Sequence, residues 1–172
     1  LEEVRTSSII DRDGNVVISG LDVYYGMVAD ALFVKWPDGT WGLVETDGTI
    51  RCRHTPPEEA FEVFWLYEFT QDGPLWVEYA LGDDEYLWGL MSREGELLGE
   101  PRWQSVSRSG DLAAVCEAGV YGYTDVYGNT VLPFIYEDAG HFEGALARVK
   151  FDSSREGYIN RAGEIVYQWP MP

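Results

Sequence analysis

Apolar residues along this chain occur in short runs, separated by clusters of Gly, Asp, Asn, Ser and Thr. Apolar and polar residues alternate within many of these runs, and no run reaches the 18 or so apolar residues of a membrane-spanning helix. A period of two with turn residues between the runs is typical of antiparallel strands and hairpins. The pattern predicts an all-β fold, with strands at 31–35, 75–79, 112–116 and 145–150.

One short pattern recurs along the chain. Each copy has a glycine, or Ser8 in the first copy, and a second glycine six positions later, at 14, 48, 95, 128 and 163. The second glycine predicts a type I turn closed by a residue at positive φ, and the first predicts close packing of an aromatic ring or backbone over a strand. The predicted hairpin cores lie near 8–17, 41–50, 88–98, 121–132 and 156–166.

Each repeat, with the strand before it, forms about three short antiparallel strands and a connector. Such a unit is too small to bury its own apolar side, so the units are expected to stack on one another. The sequence predicts a single repeat domain over residues 1–172, built from about five units. An open twisted array and a propeller-like ring both fit this number of units.

These residues resemble the WG-repeat family of bacterial β-repeat proteins. The best match is residues 121–150, where Gly122, Gly128 and the run from Tyr136 to Lys150 follow the order of the family. The Trp-Gly dipeptide itself occurs at 41 and 88, and Tyr121 and Glu156 replace the tryptophan in later copies. The resemblance implies an all-β repeat scaffold with an interaction role, and it implies no catalytic residues.

Charge narrows the choice of partner. The chain has 12 Lys and Arg against 30 Asp and Glu, a net charge of -18. A protein with this charge repels phosphate backbones and anionic lipids and attracts cationic proteins. We expect a basic protein partner, no nucleic acid and no membrane, and a monomer when the chain is alone. A cytoplasmic location is expected, although a removed leader stays open because the sequence begins at Leu1.

Signatures of catalysis, cofactor binding and metal binding are weak. The chain has no Gly-rich phosphate loop, no nucleophile elbow and no Cys-x-x-Cys pair. Cys52, His54, Cys116 and His141 include the ligand types of a zinc site but lack its spacing, and residues 11–14 fit a turn better than a calcium loop. The sequence therefore predicts a non-enzymatic protein with no catalytic residues, no metal and no cofactor.

An insertion within residues 51–87 is the predicted binding region. The glycine-to-glycine step there is 47 residues against 33 to 35 elsewhere, and no Lys or Arg occurs from His54 to Ser92. Carboxylates around aromatic anchors suit a basic partner, since charge speeds encounter and buried aromatics supply affinity. The predicted partner-binding residues are Glu58, Glu59, Glu62, Trp65, Tyr67, Phe69, Asp72, Asp83, Asp84 and Glu85.

The leading functional hypothesis is an acidic immunity-type or antidote-type inhibitor that covers the cationic site of a toxin or nucleic-acid enzyme. The alternative is an extracytoplasmic module that binds cell-wall or carbohydrate ligands through exposed aromatic rings. A hydrolase using paired carboxylates or His141 is the least supported, because no arrangement of residues in the sequence points to one.

Overall fold

The computed structural model describes residues 6–58, 60, 62–82 and 84–171, with side chains at all of these positions except 23, 24, 62, 64 and 109. This part of the chain is all-β, as predicted: it contains seventeen strands in five antiparallel sheets and no helix. The described ranges therefore contain no helix that could cross a bilayer. None of the five sheets closes into a barrel within the same ranges.

The chain divides into two compact units, and the first covers Leu1–Glu100. Its three sheets follow one another along the sequence. Sheet 1 is β1 (Ser7–Ile10) and β2 (Val16–Leu21); sheet 2 is β3 (Val23–Val28), β4 (Ala31–Lys35), β5 (Trp41–Val44) and β6 (Ile50–His54); sheet 3 is β7 (Glu62–Glu68), β8 (Leu75–Gly82) and β9 (Glu85–Met91).

The second unit covers Pro101–Pro172 and contains two four-stranded sheets. Sheet 4 is β10 (Ser105–Ser109), β11 (Leu112–Glu117), β12 (Val120–Asp125) and β13 (Thr130–Tyr136); sheet 5 is β14 (Asp138–Ala139), β15 (Leu146–Asp152), β16 (Arg155–Asn160) and β17 (Ile165–Pro170). Strands that are neighbours in sequence are neighbours in every sheet, so each sheet is a simple meander.

The same turn occurs in every repeat, which confirms the predicted repeat. The hairpin predicted near 88–98 forms only in part, because the turn at Gly95 is followed by a single bridge between Met91 and Leu97 and not by a strand. In the copy around Gly48, the Gly48 N–H donates to the Glu45 carbonyl at 2.9 Å and the Glu45 N–H donates to the Thr49 carbonyl at 2.7 Å. The glycines at 14, 48, 95, 128 and 163 all have positive φ, between 79° and 95°. This is the type I turn with a bulge at glycine that the sequence predicts.

The first glycine of each repeat has the same register in all four larger hairpins. It lies opposite a valine of the preceding strand, in the pairs Gly42–Val34, Gly89–Val77, Gly122–Val115 and Gly157–Val149. A side chain at Gly42 would fall on the Cys52 carbonyl oxygen, and one at Gly122 would meet the Phe134 ring at 2.8 Å. The predicted close packing over this glycine is confirmed.

The two sides of the sheets pack in a fixed order. Within the first unit, the side of a sheet that carries the paired valine, here called the valine face, packs on the preceding sheet: Val34 joins a core with Leu21 of sheet 1, and Val77 joins a core with Phe33 of sheet 2. The opposite side, here called the forward face, packs on the following sheet of the same unit. In the second unit, Tyr123 of sheet 4 joins Val149 of sheet 5 in the same way.

Sheets 2, 4 and 5 each contain a strand more than the three predicted. The additional strands are β3, β10 and β14, which come first in their sheets. β10 has the sequence Ser-Val-Ser-Arg-Ser and β14 has only two residues, so neither has the apolar alternation by which a strand is recognised. β10 and β14 are strands because their backbones pair with β11 and β15.

Candidate protein-interaction surface

Sheet 3 carries the insertion as a longer hairpin. β8 and β9 have eight and seven residues, whereas β4 and β5 of sheet 2 have five and four. Because Val77 lies opposite Gly89 as Val34 lies opposite Gly42, the additional residues extend the hairpin at its turn. Asp84 lies in this turn with φ at 59°, a conformation that aspartate tolerates better than most residues.

The predicted acidic residues lie at two ends of sheet 3. Glu58 precedes β7, and Asp84 and Glu85 lie at the β8–β9 turn, near the end where Glu62 pairs with Ala80. Asp72 lies in the β7–β8 turn at the other end, and the seven residue steps of β8 separate the two ends by about 23 Å. Glu59 and Asp83 lie outside the described residues, as does the side chain of Glu62.

Glu58, Asp84 and Glu85, here called the acidic end, are all exposed, and so is Asp72. None of these four carboxylates forms an ion pair within the described part of the chain. Glu68, in contrast, forms an ion pair with Arg93 at 2.6 Å and accepts a hydrogen bond from the Ala29 N–H at 3.4 Å. The acidic end therefore presents its negative charge to solvent, whereas the charge of Glu68 is used inside the unit.

The three predicted aromatic anchors differ in exposure. Trp65 is 39% exposed, and its ring makes edge contacts with Tyr25 and Phe33, at centroid distances of 5.9 and 6.4 Å. Tyr67 and Phe69 are half-buried, Tyr67 against the Trp88 ring at 5.2 Å and Phe69 against the Trp76 ring at 5.4 Å. Tyr67 and Phe69 thus help to hold sheet 3 together, and Trp65 is the most exposed of these three aromatic side chains.

A buried carboxylate lies behind these rings. Glu78 is 7% exposed and accepts a hydrogen bond from the Tyr67 hydroxyl at 3.1 Å. Burial raises the pKa of Glu78, and the Tyr67 hydrogen bond opposes that shift. Burial and the nearby Glu78 charge together raise the pKa of Tyr67 to about 12. Sequence spacing gave no sign of this pair, because strand pairing of β7 with β8 creates it.

Replacing Glu78 with glutamine is expected to raise the Tm at pH 7. A raised pKa means that the stability contributed by protonated Glu78 is present at low pH and is lost as pH rises through that pKa. The glutamine carbonyl still accepts the Tyr67 hydrogen bond without a buried charge. Thermal unfolding followed by circular dichroism should show a gain at pH 7 that shrinks towards about pH 4.

The matched control for that experiment is Glu68→Gln in the same sheet. Since Glu68 is paired with Arg93, neutralising it should lower the Tm at pH 7. A lower Tm for Glu78→Gln as well would show that the Glu78 carboxylate stabilises the fold.

The residues considered for metal binding or nucleophilic chemistry have structural partners. Cys52 and Cys116 are free thiols, and burial raises the pKa of each. The His54 ring hydrogen-bonds to the Gly95 carbonyl at 2.7 Å, and the Asp11 carboxylate accepts hydrogen bonds from the N–H groups of Asp13 and Asn15 in its turn. No group of three or more His, Cys, Asp or Glu in the described ranges is arranged to hold a metal ion.

Negative charge is concentrated in the first unit. Residues 1–100 contain 21 Asp and Glu against 6 Lys and Arg, whereas residues 101–172 contain 9 against 6. The two units therefore carry net charges of -15 and -3. The acidic end of sheet 3 belongs to the first unit, and its field is reinforced by that charge.

Part of the chain matches a known family of repeat sequences. Residues 121–153, which run from β12 through sheet 4 into β15, match the family described as WG containing repeat. The chain carries a WG-containing repeat. Two features of this repeat, a first glycine opposite a valine and a second glycine at positive φ in the turn, recur in sheets 2, 3 and 5. No curated protein matches this sequence.

Several solved structures are similar to this chain at low sequence identity, with TM-scores below 0.5. BamB from Moraxella catarrhalis is 9% identical with a TM-score of 0.45, over 96% of this chain and 70% of that one. Hsv2 from Kluyveromyces lactis is 9% identical with a TM-score of 0.45, over 92% of this chain and 55% of that one. The computationally designed Ika4 protein is 12% identical with a TM-score of 0.43, over 81% of this chain and 94% of that one. This chain thus spans little more than half of Hsv2.

Proposed function

We propose that this WG-repeat module is a protein-binding inhibitor of the immunity or antidote type, whose partner is a basic toxin or nucleic-acid enzyme. The observation that carries the proposal is the acidic end of sheet 3, with three exposed carboxylates in a unit of net charge -15. Such a surface accelerates encounter with a cationic active site, and it competes with the anionic substrate of that site.

The geometry of sheet 3 supports a binding role. Asp84 and Glu85 lie at the turn of a long hairpin, one side of which packs into the core of the first unit through Val77, Tyr79 and Leu87. A rigid support reduces the entropy lost on association, so more of the electrostatic gain appears as affinity. WG repeats and all-β repeat folds of this type are not known as enzymes, which favours binding over catalysis.

Charge reversal at the acidic end tests the proposal. The variant Glu58→Lys/Glu85→Lys leaves Asp84 in its turn and should weaken binding of a basic nuclease-toxin domain by more than about tenfold. The measurement is interferometry of the immobilised chain against a panel of purified basic nuclease-toxin domains, at about 50 and about 300 mM NaCl. Wild-type binding should fall steeply at the higher salt concentration, and co-expression should protect cells from the bound toxin.

The control is Glu117→Lys/Glu143→Lys in the second unit, which changes the net charge by the same amount. This variant should retain most of the wild-type affinity, because the second unit lies outside the proposed site. Equal losses in the two variants would mean that net charge alone governs binding. Failure of every domain in the panel to bind would contradict the proposal.

A further inference from the structure

Four Asp-Gly pairs occur in the first unit, at 13–14, 38–39, 47–48 and 72–73. An Asp-Gly pair can rearrange without a catalyst, because glycine has no side chain to hinder attack by its own backbone nitrogen on the preceding carboxyl group. The reaction is slow where the fold holds these two groups in place. The surroundings of each pair therefore decide whether it reacts in the folded protein.

Three of the four pairs lie in closed turns. The N–H groups of Gly14, Gly39 and Gly48 donate to the carbonyl groups three residues earlier, at 3.2, 2.9 and 2.9 Å, and all three glycines have positive φ. Ring closure by the glycine nitrogen rotates the ψ of the aspartate away from the value that a tight turn requires, so it breaks this hydrogen bond. The turn therefore protects each of these three pairs.

Two of the protected pairs also have their carboxylates held in place. Asp38 accepts a hydrogen bond from the Thr40 N–H at 3.0 Å and forms an ion pair with Arg53 at 2.7 Å, and Asp47 accepts one from the Thr49 N–H at 2.9 Å. Hydrogen bonds from Thr40 lower the pKa of Asp38, and the bond from Thr49 lowers the pKa of Asp47. Both groups are thus kept as carboxylates, which nucleophiles attack less readily than the protonated acid.

The fourth pair lies in a turn of another kind, between β7 and β8. Gly73 does not have the positive φ of the other three glycines, and its N–H donates no hydrogen bond to the described part of the chain. Asp72 is exposed, and its carboxylate forms neither a hydrogen bond nor an ion pair within the same ranges. The Thr70 hydroxyl oxygen in this turn is buried and also has no partner there. The bonds that protect the other pairs are therefore missing at 72–73.

We propose that Asp72 and Gly73 form a modification site, at which aspartate converts to isoaspartate in the folded chain faster than at the other three pairs. The Gly73 nitrogen attacks Cγ of Asp72, and a water molecule made from the carboxyl hydroxyl group and the amide hydrogen leaves. A second water molecule opens the resulting succinimide ring. Its attack at Cγ restores aspartate, whereas its attack at the main-chain carbonyl carbon gives isoaspartate, with the main chain running through Cβ and Cγ.

The product adds one atom to the main chain of the β7–β8 turn and keeps the negative charge. The length of β8 separates this turn from the acidic end by about 23 Å. The modification site thus lies outside the proposed binding surface, and it stands or fails separately from the binding of a basic protein.

Uptake of heavy oxygen from labelled water tests the proposal, because each cycle of ring formation and opening leaves one labelled atom in the carboxyl group. The full chain is incubated at mildly acidic pH, where more carboxyl groups carry a proton, and is then digested with trypsin in ordinary water. Trypsin divides the four pairs among the peptides 13–35, 36–51 and 54–93. Peptide 54–93 should gain label about tenfold faster per Asp-Gly pair, which is the effect of one or two hydrogen bonds on a rate. Fragmentation should place the label at Asp72.

Two controls separate the effect of the fold from that of the sequence. Incubation in urea removes the turns, so all three peptides should then gain label at similar rates per pair. The variant Asp72→Glu keeps the charge at an exposed position and should abolish labelling of peptide 54–93, because the larger ring of glutamate closes far more slowly. Equal labelling in the folded chain, a lead that persists in urea, or label that survives Asp72→Glu would overturn the proposal. So would a folded chain that takes up no label under conditions in which the unfolded chain does.

Discussion

Replacing Trp41 with alanine is expected to lower the free energy of unfolding by about 4 kcal/mol, because the change empties the centre of the first unit. Trp41 is 1% exposed, and its ring contacts Phe33 and Tyr79 with centroid distances of 6.1 Å to each. These three residues come from sheets 2 and 3, so the cavity would loosen the packing between the two sheets. Urea unfolding followed by intrinsic fluorescence measures the loss.

Trp41→Phe is the matched control. The Trp41 indole N–H is buried and has no hydrogen-bond partner among the described residues, which costs the folded state on the order of 1 kcal/mol or more. Phenylalanine keeps most of the apolar volume and removes that donor, so the expected loss is about 1 kcal/mol. A loss as large as that of the alanine variant would show that the indole N–H is satisfied after all.

The repeat made most of the fold predictable from the sequence. The glycine spacing predicted the turn at Gly48 and its counterparts, and the strands before each hairpin were predicted within two or three residues of their observed bounds. These features depend on local chemistry, namely a positive φ in the turn and a strand position where a side chain would collide with its neighbour. Local constraints of this kind appear in the sequence because each one restricts a single position.

Features that depend on strand pairing were harder to predict. β10 and β14 have no apolar alternation, and the hydrogen bond between Tyr67 and Glu78 joins residues on different strands. The acidic residues of the insertion were predicted as one set, yet the pairing of β7 with β8 puts Asp72 at the opposite end from Glu85. The number of acidic residues in a segment does not show at which end of the sheet each of them lies, because strand pairing decides that.

The division of charge changes how the net charge of -18 is interpreted. A uniformly acidic surface would indicate little more than solubility. Here the first unit has 21 acidic residues and the second has 9, while each has 6 basic ones. The nearly neutral second unit carries the exposed aromatic residues Tyr158 and Tyr167, so the chain has two surfaces with different chemistry. This separation is why a basic protein is expected to bind through the first unit and not through the second.

Replacing Gly48 with alanine is expected to cost about 3 kcal/mol, although the change adds only one methyl group. Gly48 has φ at 91°, and a Cβ atom there would fall on the Val17 carbonyl oxygen of sheet 1. The strained backbone contributes about 1 kcal/mol, and the displacement of sheet 1 contributes about 2 kcal/mol.

Gly14→Ala is the matched control, because Gly14 lies in the equivalent turn of the first repeat with φ at 86° and a Cβ there meets nothing within 4 Å. The control should cost about 1 kcal/mol by urea unfolding, and equal losses for the two variants would mean that the turn alone is responsible and sheet 1 yields without cost.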